Sequence, residues 1–145
     1  MVKIEYPNSP FSITERDGKP SIFDLIRKRW LTLTPEEWVR QNFLQYLVEN
    51  KQYPPSLIGV EKELQLNEIK KRCDIVVYRN GAPWMLIECK EPSVMLSTAT
   101  IDQLLRYNIA LPVPYLVITN GTHCFAWERN GTTLIELLEL PSWND

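Results

Sequence analysis

Histidine is nearly absent from this chain: His123 is the only one. Zinc hydrolysis through HExxH and multi-histidine metal nucleases need more than one imidazole, so both are excluded. A serine triad would have to recruit that same residue, and no GxSxG surrounds any serine; His123 reads as an ordinary strand residue. Cysteine is scarce as well. Cys73, Cys89 and Cys124 cannot all pair and none stands in a CxxC spacing, so neither a disulfide framework nor a zinc site is indicated, and all three read as small core residues. No apolar run approaches membrane length. The first residues, MVKIEYPNSP, lack the apolar middle of a signal peptide, and a cytoplasmic location is the expectation.

An excess of basic charge is also missing. The net charge is −2, which on its face argues against nucleic acid, because phosphate binding wants a basic surface. The distribution of charge weakens that objection. Residues 1–90 hold 14 Lys and Arg against 12 Asp and Glu, while residues 91–145 hold 2 against 6. The basic residues cluster as Arg27-Lys28-Arg29 and Lys70-Lys71-Arg72, the second just before the most unusual stretch of the chain. With 145 residues, 44% of them hydrophobic and 23% charged, the chain has the composition of one structural domain with a real core.

That stretch is Arg72 to Lys90, RCDIVVYRNGAPWMLIECK. Cys73 to Tyr78 and Trp84 to Lys90 are rich in β-branched and aromatic residues, and Asn80-Gly81 between them is a strong hairpin signal. The charges fall awkwardly. Asp74 interrupts the first apolar run, and Glu88 and Lys90 close the second, where ionised groups are costly. Strand alternation puts Glu88 and Lys90 on one face and Cys89 on the other. Asp74 joins Glu88 if the loop has three residues, either Arg79-Asn80-Gly81 or Asn80-Gly81-Ala82, and is separated from it by a two-residue loop. The three-residue loop is the expectation, with Cys73 and Cys89 sharing the opposite face against the core. Two carboxylates and an ammonium on neighbouring strands suit a hard divalent cation beside a water molecule.

Around this hairpin the chain divides readily. Residues 1–33 read as an arm with short strands: Phe11 to Glu15, a turn at Asp17-Gly18, Ile22 to Asp24, and Arg29 to Leu33. Thr34-Pro35-Glu36-Glu37 marks a helix start, with Thr34 as N-cap and Glu37 completing a capping box. Trp38, Val39, Phe43, Leu44, Tyr46, Leu47 and Val48 give that helix an apolar face ending near Asn50. Leu57 to Leu66 reads as a strand. Ser97 caps a second helix to about Ala110, with Ile101, Leu104, Leu105 and Ile109 as its buried stripe, and Gln103 and Tyr107 form an i, i+4 pair beside it. Tyr115 to Thr119 and Cys124 to Trp127 follow as strands, and Thr133 to Leu138 as a strand or short helix. Trp30, Trp84 and Trp143 read as core or surface fillers. The expected architecture is an α/β sandwich around a mixed sheet.

At EEWVRQ (36–41), KKRCDIVVY (70–78), IECK (87–90), DQLLRYN (102–108) and the TNG turn (119–121), the sequence resembles the PD-(D/E)XK nuclease superfamily. More narrowly, it resembles the N-terminal nuclease domain of type I restriction enzyme R subunits. The resemblance covers roughly residues 34–127, and Gln103-xxx-Tyr107 is its most telling element. It implies a restriction-endonuclease-like three-layer sandwich with an αβββαβ core, occupying residues 34–145. It also implies Mg2+- or Mn2+-dependent hydrolysis of DNA phosphodiesters. On matching positions, Asp74, Glu88 and the Cys89 carbonyl would hold the metal, and Lys90 would orient and help deprotonate the attacking water. Gln103 and Tyr107 would position the phosphate or the lysine. Glu37, with Glu36 as fallback, would be an outer ligand, unless its carboxylate only caps the helix. Lys70, Lys71, Arg72 and Arg40 are the residues expected to meet nucleic acid. No proline precedes Asp74, and no GxxxxGK[ST] is present, so ATP-driven translocation does not carry over. Motor or specificity subunits are the implied partners. The alternative function is a catalytically idle nucleic-acid-binding or assembly module of the same fold.

Overall fold

A computed structural model describes residues 1–144; Asp145, the expected end of the second region, lies outside the described residues. The arm leads into three antiparallel strands, β1 (Ile13–Arg16), β2 (Lys19–Asp24) and β3 (Arg29–Thr32), which form a small sheet of their own. Helix α1 (Pro35–Glu49) follows, then a single 3₁₀ turn at Pro55–Leu57. The main sheet takes β4 (Ile58–Leu66), β5 (Ile69–Arg79) and β6 (Ala82–Cys89), then β7 (Tyr115–Thr119), β8 (Cys124–Asn130) and β9 (Thr133–Leu137). Helix α2 (Thr98–Asn108) connects β6 to β7. Spatial order follows chain order from β4 to β9, and only the β6–β7 pair is parallel. That parallel pair is why a helix crossover is needed at this one place.

Local chemistry explains both helix starts. The Thr34 hydroxyl accepts the Glu37 N–H at 3.1 Å, and Ser97 accepts the Thr100 N–H at 3.2 Å, each satisfying an otherwise orphaned amide. Val39, Phe43 and Leu47 project from α1 onto one face of the sheet, against Ile75, Val77, Met85, Ile87 and Val117. Ile101, Leu104 and Leu105 of α2 cover the other face, over Val76, Leu86, Leu116, Ile118 and Trp127. Helix, mixed sheet and helix therefore make three layers, which accounts for the long apolar runs of β6 and β7. Two expected core positions lie elsewhere. Trp38 is 40% exposed and packs edge-on against Phe11, and Ile109 is 43% exposed beyond the last turn of α2. Residues 133–137 form a strand, which resolves the choice left open there. Among the described residues no helix is long and apolar enough to cross a membrane.

The central hairpin departs from expectation in its loop. That loop has two residues, Asn80 and Gly81, both at positive φ (53° and 77°) with Arg79 paired to Ala82. These are the backbone angles that match the twist of the flanking strands in a two-residue turn. Such a loop alone would separate Asp74 from Glu88. Trp84 reverses that: Tyr78 pairs with Pro83 but Val77 pairs with Met85, so Trp84 is an extra, unpaired residue. The bulge shifts the register by one, and Ile75 meets Ile87. A second irregularity sits on the other side of β5. Val60 pairs with Ile75 and Lys62 with Cys73, while Glu61, at φ 52°, stands out of the ladder beside Asp74.

The core on the α1 side depends on Phe43, which is fully buried. Phe43→Ala is expected to lower the free energy of unfolding by about 3–5 kcal/mol, measured by urea titration followed by circular dichroism.

Candidate active site

Past the Ile75–Ile87 pair the strands stop bonding through their main chains, and side chains take over. The Asp74 carboxylate accepts the Cys89 N–H at 2.8 Å with Oδ2, and the Arg40 guanidinium at 3.3 Å with Oδ1. Asp74 thus touches the peptide that follows Glu88, but its carboxylate is drawn toward α1. Glu88 turns the other way, where its Oε1 takes the Lys71 ammonium at 2.5 Å. Glu88 and Lys90 line a cleft of about 310 Å³ beneath α2, together with Lys71, Gln103, Tyr107 and Asn108. Glu88, Lys90, Gln103 and Tyr107 therefore border one cleft, whereas Asp74, expected on the face of Glu88 and Lys90, is turned instead toward the α1 layer.

The cysteines follow the same division. Cys89 packs in the core under α1 and Cys73 in the core under α2, so they do not share a face as alternation predicts. The irregular ladder at Glu61 and Asp74 breaks the strict alternation between Cys73 and Ile75. All three cysteines are buried and free. Burial pushes the Cys73 thiol up to about 11 and the Cys124 thiol up to about 12, so neither supplies a thiolate near neutral pH.

On the α1 side the centre is Arg40, which by sequence stood among the residues expected to meet nucleic acid. It is only 5% exposed. Its Nη1 donates to Glu37 at 2.7 Å and to Glu61 at 2.9 Å, and its Nη2 reaches Glu36 at 3.2 Å as well as Asp74. A guanidinium this enclosed has no face left for a phosphate. Burial works against its charge, but Glu37, Asp74 and Glu61 outweigh that and raise its pKa further. The Glu36-Arg40 and Glu37-Arg40 spacings are those of helix pairs; the burial of Arg40 and Glu37 is not legible from spacing.

Glu37 does not complete the expected capping box. Its amide donates to Thr34, but its carboxylate turns inward and accepts from Arg40 and, at 3.1 Å, from the Gln41 side-chain amide. Both oxygens are engaged, so Glu37 reaches Asp74 only through Arg40. Asp24, which no sequence pattern singled out, extends this network to the small sheet. It is fully buried and accepts the Ile26 and Arg27 N–H groups, the Arg27 Nε at 2.8 Å and the Gln41 amide at 3.0 Å. No local signal marks Asp24, because its partners come from α1 as well as its own turn.

The basic cluster before Asp74 is split by strand alternation. Lys70 and Arg72 are 74% and 67% exposed at their side chains, whereas Lys71 is 8% exposed. Arg72 donates to Glu61 at 3.0 Å. Gln103 and Tyr107 are exposed on the rim of the cleft. Lys90 is half-buried, and among the described residues its ammonium has neither an ion pair nor a hydrogen-bond partner.

Asp74 and Glu88 offer carboxylate oxygens, and hard oxygen donors fit Mg2+ or Mn2+. Among the described residues no three His, Cys, Asp or Glu side chains are gathered as a ready-made cage. Mg2+ does not require one, since it commonly uses one or two carboxylates and completes its shell with water and phosphate. What stands beside these oxygens is positive charge from Arg40 and Lys71.

Compared with known families, residues 35–141 match the model described as type I restriction enzyme R protein N terminus. No curated protein and no solved structure matches the chain.

The acidic seam makes stability depend on pH. Burial raises the Asp24 carboxyl, but the Arg27 and Gln41 bonds outweigh it, and in Glu61 the charges of Arg40 and Arg27 do the same. Both are held below their ordinary values of 3.8 and 4.5. Their contribution is present above those values and is lost as pH falls through the lower folded-state ones. Urea midpoints are expected to drop between about pH 5 and pH 3. Asp24→Asn should show a lower midpoint at neutral pH and a shallower fall.

Proposed function

Because the chain belongs to the family of type I restriction enzyme R protein N termini, we propose that it hydrolyses DNA phosphodiesters with Mg2+ or Mn2+, on a restriction-endonuclease-like fold. The observation that carries this reading is Lys90. Its ammonium has no partner among the described residues and is not sealed from solvent, and it borders a cleft shared with a carboxylate, an amide and a phenol. Such a group is suited to an anion or a water molecule from outside the chain.

In this reading Lys90 holds the attacking water by hydrogen bonding and takes part in removing its proton, with Glu88 two residues back on the same strand face. Gln103 and Tyr107, one turn apart on α2, border the cleft and orient the phosphate or the Lys90 ammonium. Mg2+ or Mn2+, held by Asp74, Glu88 and the Cys89 carbonyl, would polarise the phosphate and neutralise the departing oxygen. Glu37 contributes by fixing Arg40 against Asp74. Lys70 and Arg72, both exposed but on the opposite face of β5 from the cleft, are left to meet the DNA backbone away from the cleft itself. The setting proposed is the cytoplasm, with motor and specificity subunits of a restriction system as partners, since no ATP-binding loop occurs in these residues.

Purified protein is expected to nick or degrade plasmid DNA with either metal. Lys90→Ala should lower the rate by at least about 10²-fold with an unchanged melting temperature; an unchanged rate would refute the assignment.

A second reading, an idle binding or assembly module, is favoured by one observation: Asp74 and Glu88 already have cationic partners in Arg40 and Lys71. Calorimetric titration with Mn2+ separates the two. The nuclease reading expects a binding isotherm that Asp74→Ala and Glu88→Ala abolish, and the idle module expects none.

A further inference from the structure

The two lysines in the cleft are not equivalent. Lys90 has no partner among the described residues, whereas the Lys71 Nζ lies 2.5 Å from Glu88 Oε1 and 5.3 Å from the centroid of the Tyr107 ring. Lys71 is 8% exposed and Glu88 is 20% exposed, so this is an ion pair largely withdrawn from water. A lysine is rarely buried this far without a paired charge, and removing either member leaves the other uncompensated. Glu88 Oε2 takes no hydrogen bond among the described residues. The carboxylate assigned to a divalent cation is thus already half-occupied by a cation of the chain's own.

An ammonium and a divalent ion cannot both sit against one carboxylate at full strength, because their mutual repulsion at short range in a partly buried site is substantial. Lys71 has somewhere else to go. It sits under the face of Tyr107, which attracts a cation without fixing its direction. Lys90 and Gln103 border the same cleft as further donors. A phosphate entering there would meet two ammonium groups and offer Lys71 an alternative anion.

We propose that Lys71 is a positioning residue that makes metal loading at Glu88 depend on a bound phosphodiester. Without nucleic acid its ammonium is the counter-ion of Glu88 and competes with the metal. With a phosphate in the cleft the ammonium turns to the phosphate and frees Glu88. Metal and nucleic acid then bind with positive coupling, and the coupling is reciprocal. This rests on the nuclease reading, and it assigns Lys71 a role distinct from that of its exposed neighbours Lys70 and Arg72.

The test is Mn2+ affinity, read by electron paramagnetic resonance with and without a short DNA duplex whose phosphorothioate linkages resist hydrolysis. Wild-type protein should bind Mn2+ roughly tenfold more tightly when the duplex is present. Lys71→Met keeps the aliphatic stem and removes the charge. It should bind Mn2+ roughly tenfold more tightly than wild type without the duplex, and should gain little when the duplex is added. Lys19→Met removes an equal charge from an exposed position on the small N-terminal sheet and should keep the wild-type coupling, as should Lys71→Arg. If Lys71→Met does not fold, Lys71→Gln serves in its place. Coupling in the Lys71 variant equal to that of wild type, or no coupling in a wild-type protein that binds Mn2+, overturns the proposal. Absence of any Mn2+ binding overturns the nuclease reading and this inference with it.

Discussion

A single enclosed guanidinium holds the working end of this molecule together. Arg40 leaves α1 and bonds to Glu37 on its own helix, to Glu61 on β4 and to Asp74 on β5. Three elements are thereby joined through charge at that edge. Without the arginine, several carboxylates would crowd a partly buried seam, and each would have to protonate or move into water. With it they stay ionised, and Arg27 extends the same logic to Asp24 and the small N-terminal sheet. The seam fixes where α1 lies relative to the hairpin and so fixes the direction in which Asp74 points.

The other side of the sheet is built on different terms. There the apolar stripe of α2 covers the core, and its polar edge leaves a cleft over the ends of β5 and β6. Charge is sparse in this cleft and only partly cancelled: Glu88 is paired with Lys71, while Lys90 is left over among the described residues. A neutralised seam lies on one face and an under-compensated cleft on the other, which is why the proposed chemistry is assigned to the α2 side although Asp74 is anchored on the α1 side. The link between them is one bond, from the Cys89 amide to the Asp74 carboxylate. That bond forms only because the main-chain ladder has stopped two residues short.

Much of the fold was legible in the residues. Thr34-Pro35 and Ser97 marked both helix starts, and Asn80-Gly81 marked the hairpin. The apolar run after Pro83 announced a strand covered on both faces, and the small sheet was visible in its turn at Asp17-Gly18. The pattern from Asp74 to Tyr107 led to the family that residues 35–141 match. The hairpin shows where such reading fails. The loop was expected to have three residues so that Asp74 and Glu88 would fall in register. Instead it has two, and the bulge at Trp84 restores the register. A bulge of this kind is stabilised by packing against other elements: Trp84 lies edge-on to Tyr53, Tyr115 and Trp143, residues distant in sequence.

Sequence alone determined which residues are costly to bury and therefore stand out: Asp74, Glu88 and Lys90 among apolar neighbours, and Gln103 with Tyr107 one helical turn apart. Those are properties of residue type and spacing, which local rules of strand and helix geometry make readable. Tertiary structure decided the partners. Arg40 and Lys71 read as cations for nucleic acid and became buried counter-ions, and Glu37 read as an outer metal ligand or a cap and became part of a four-element seam. An ion pair is set by distances across elements far apart in the chain. No window of sequence contains those distances until the helices have been laid on the sheet.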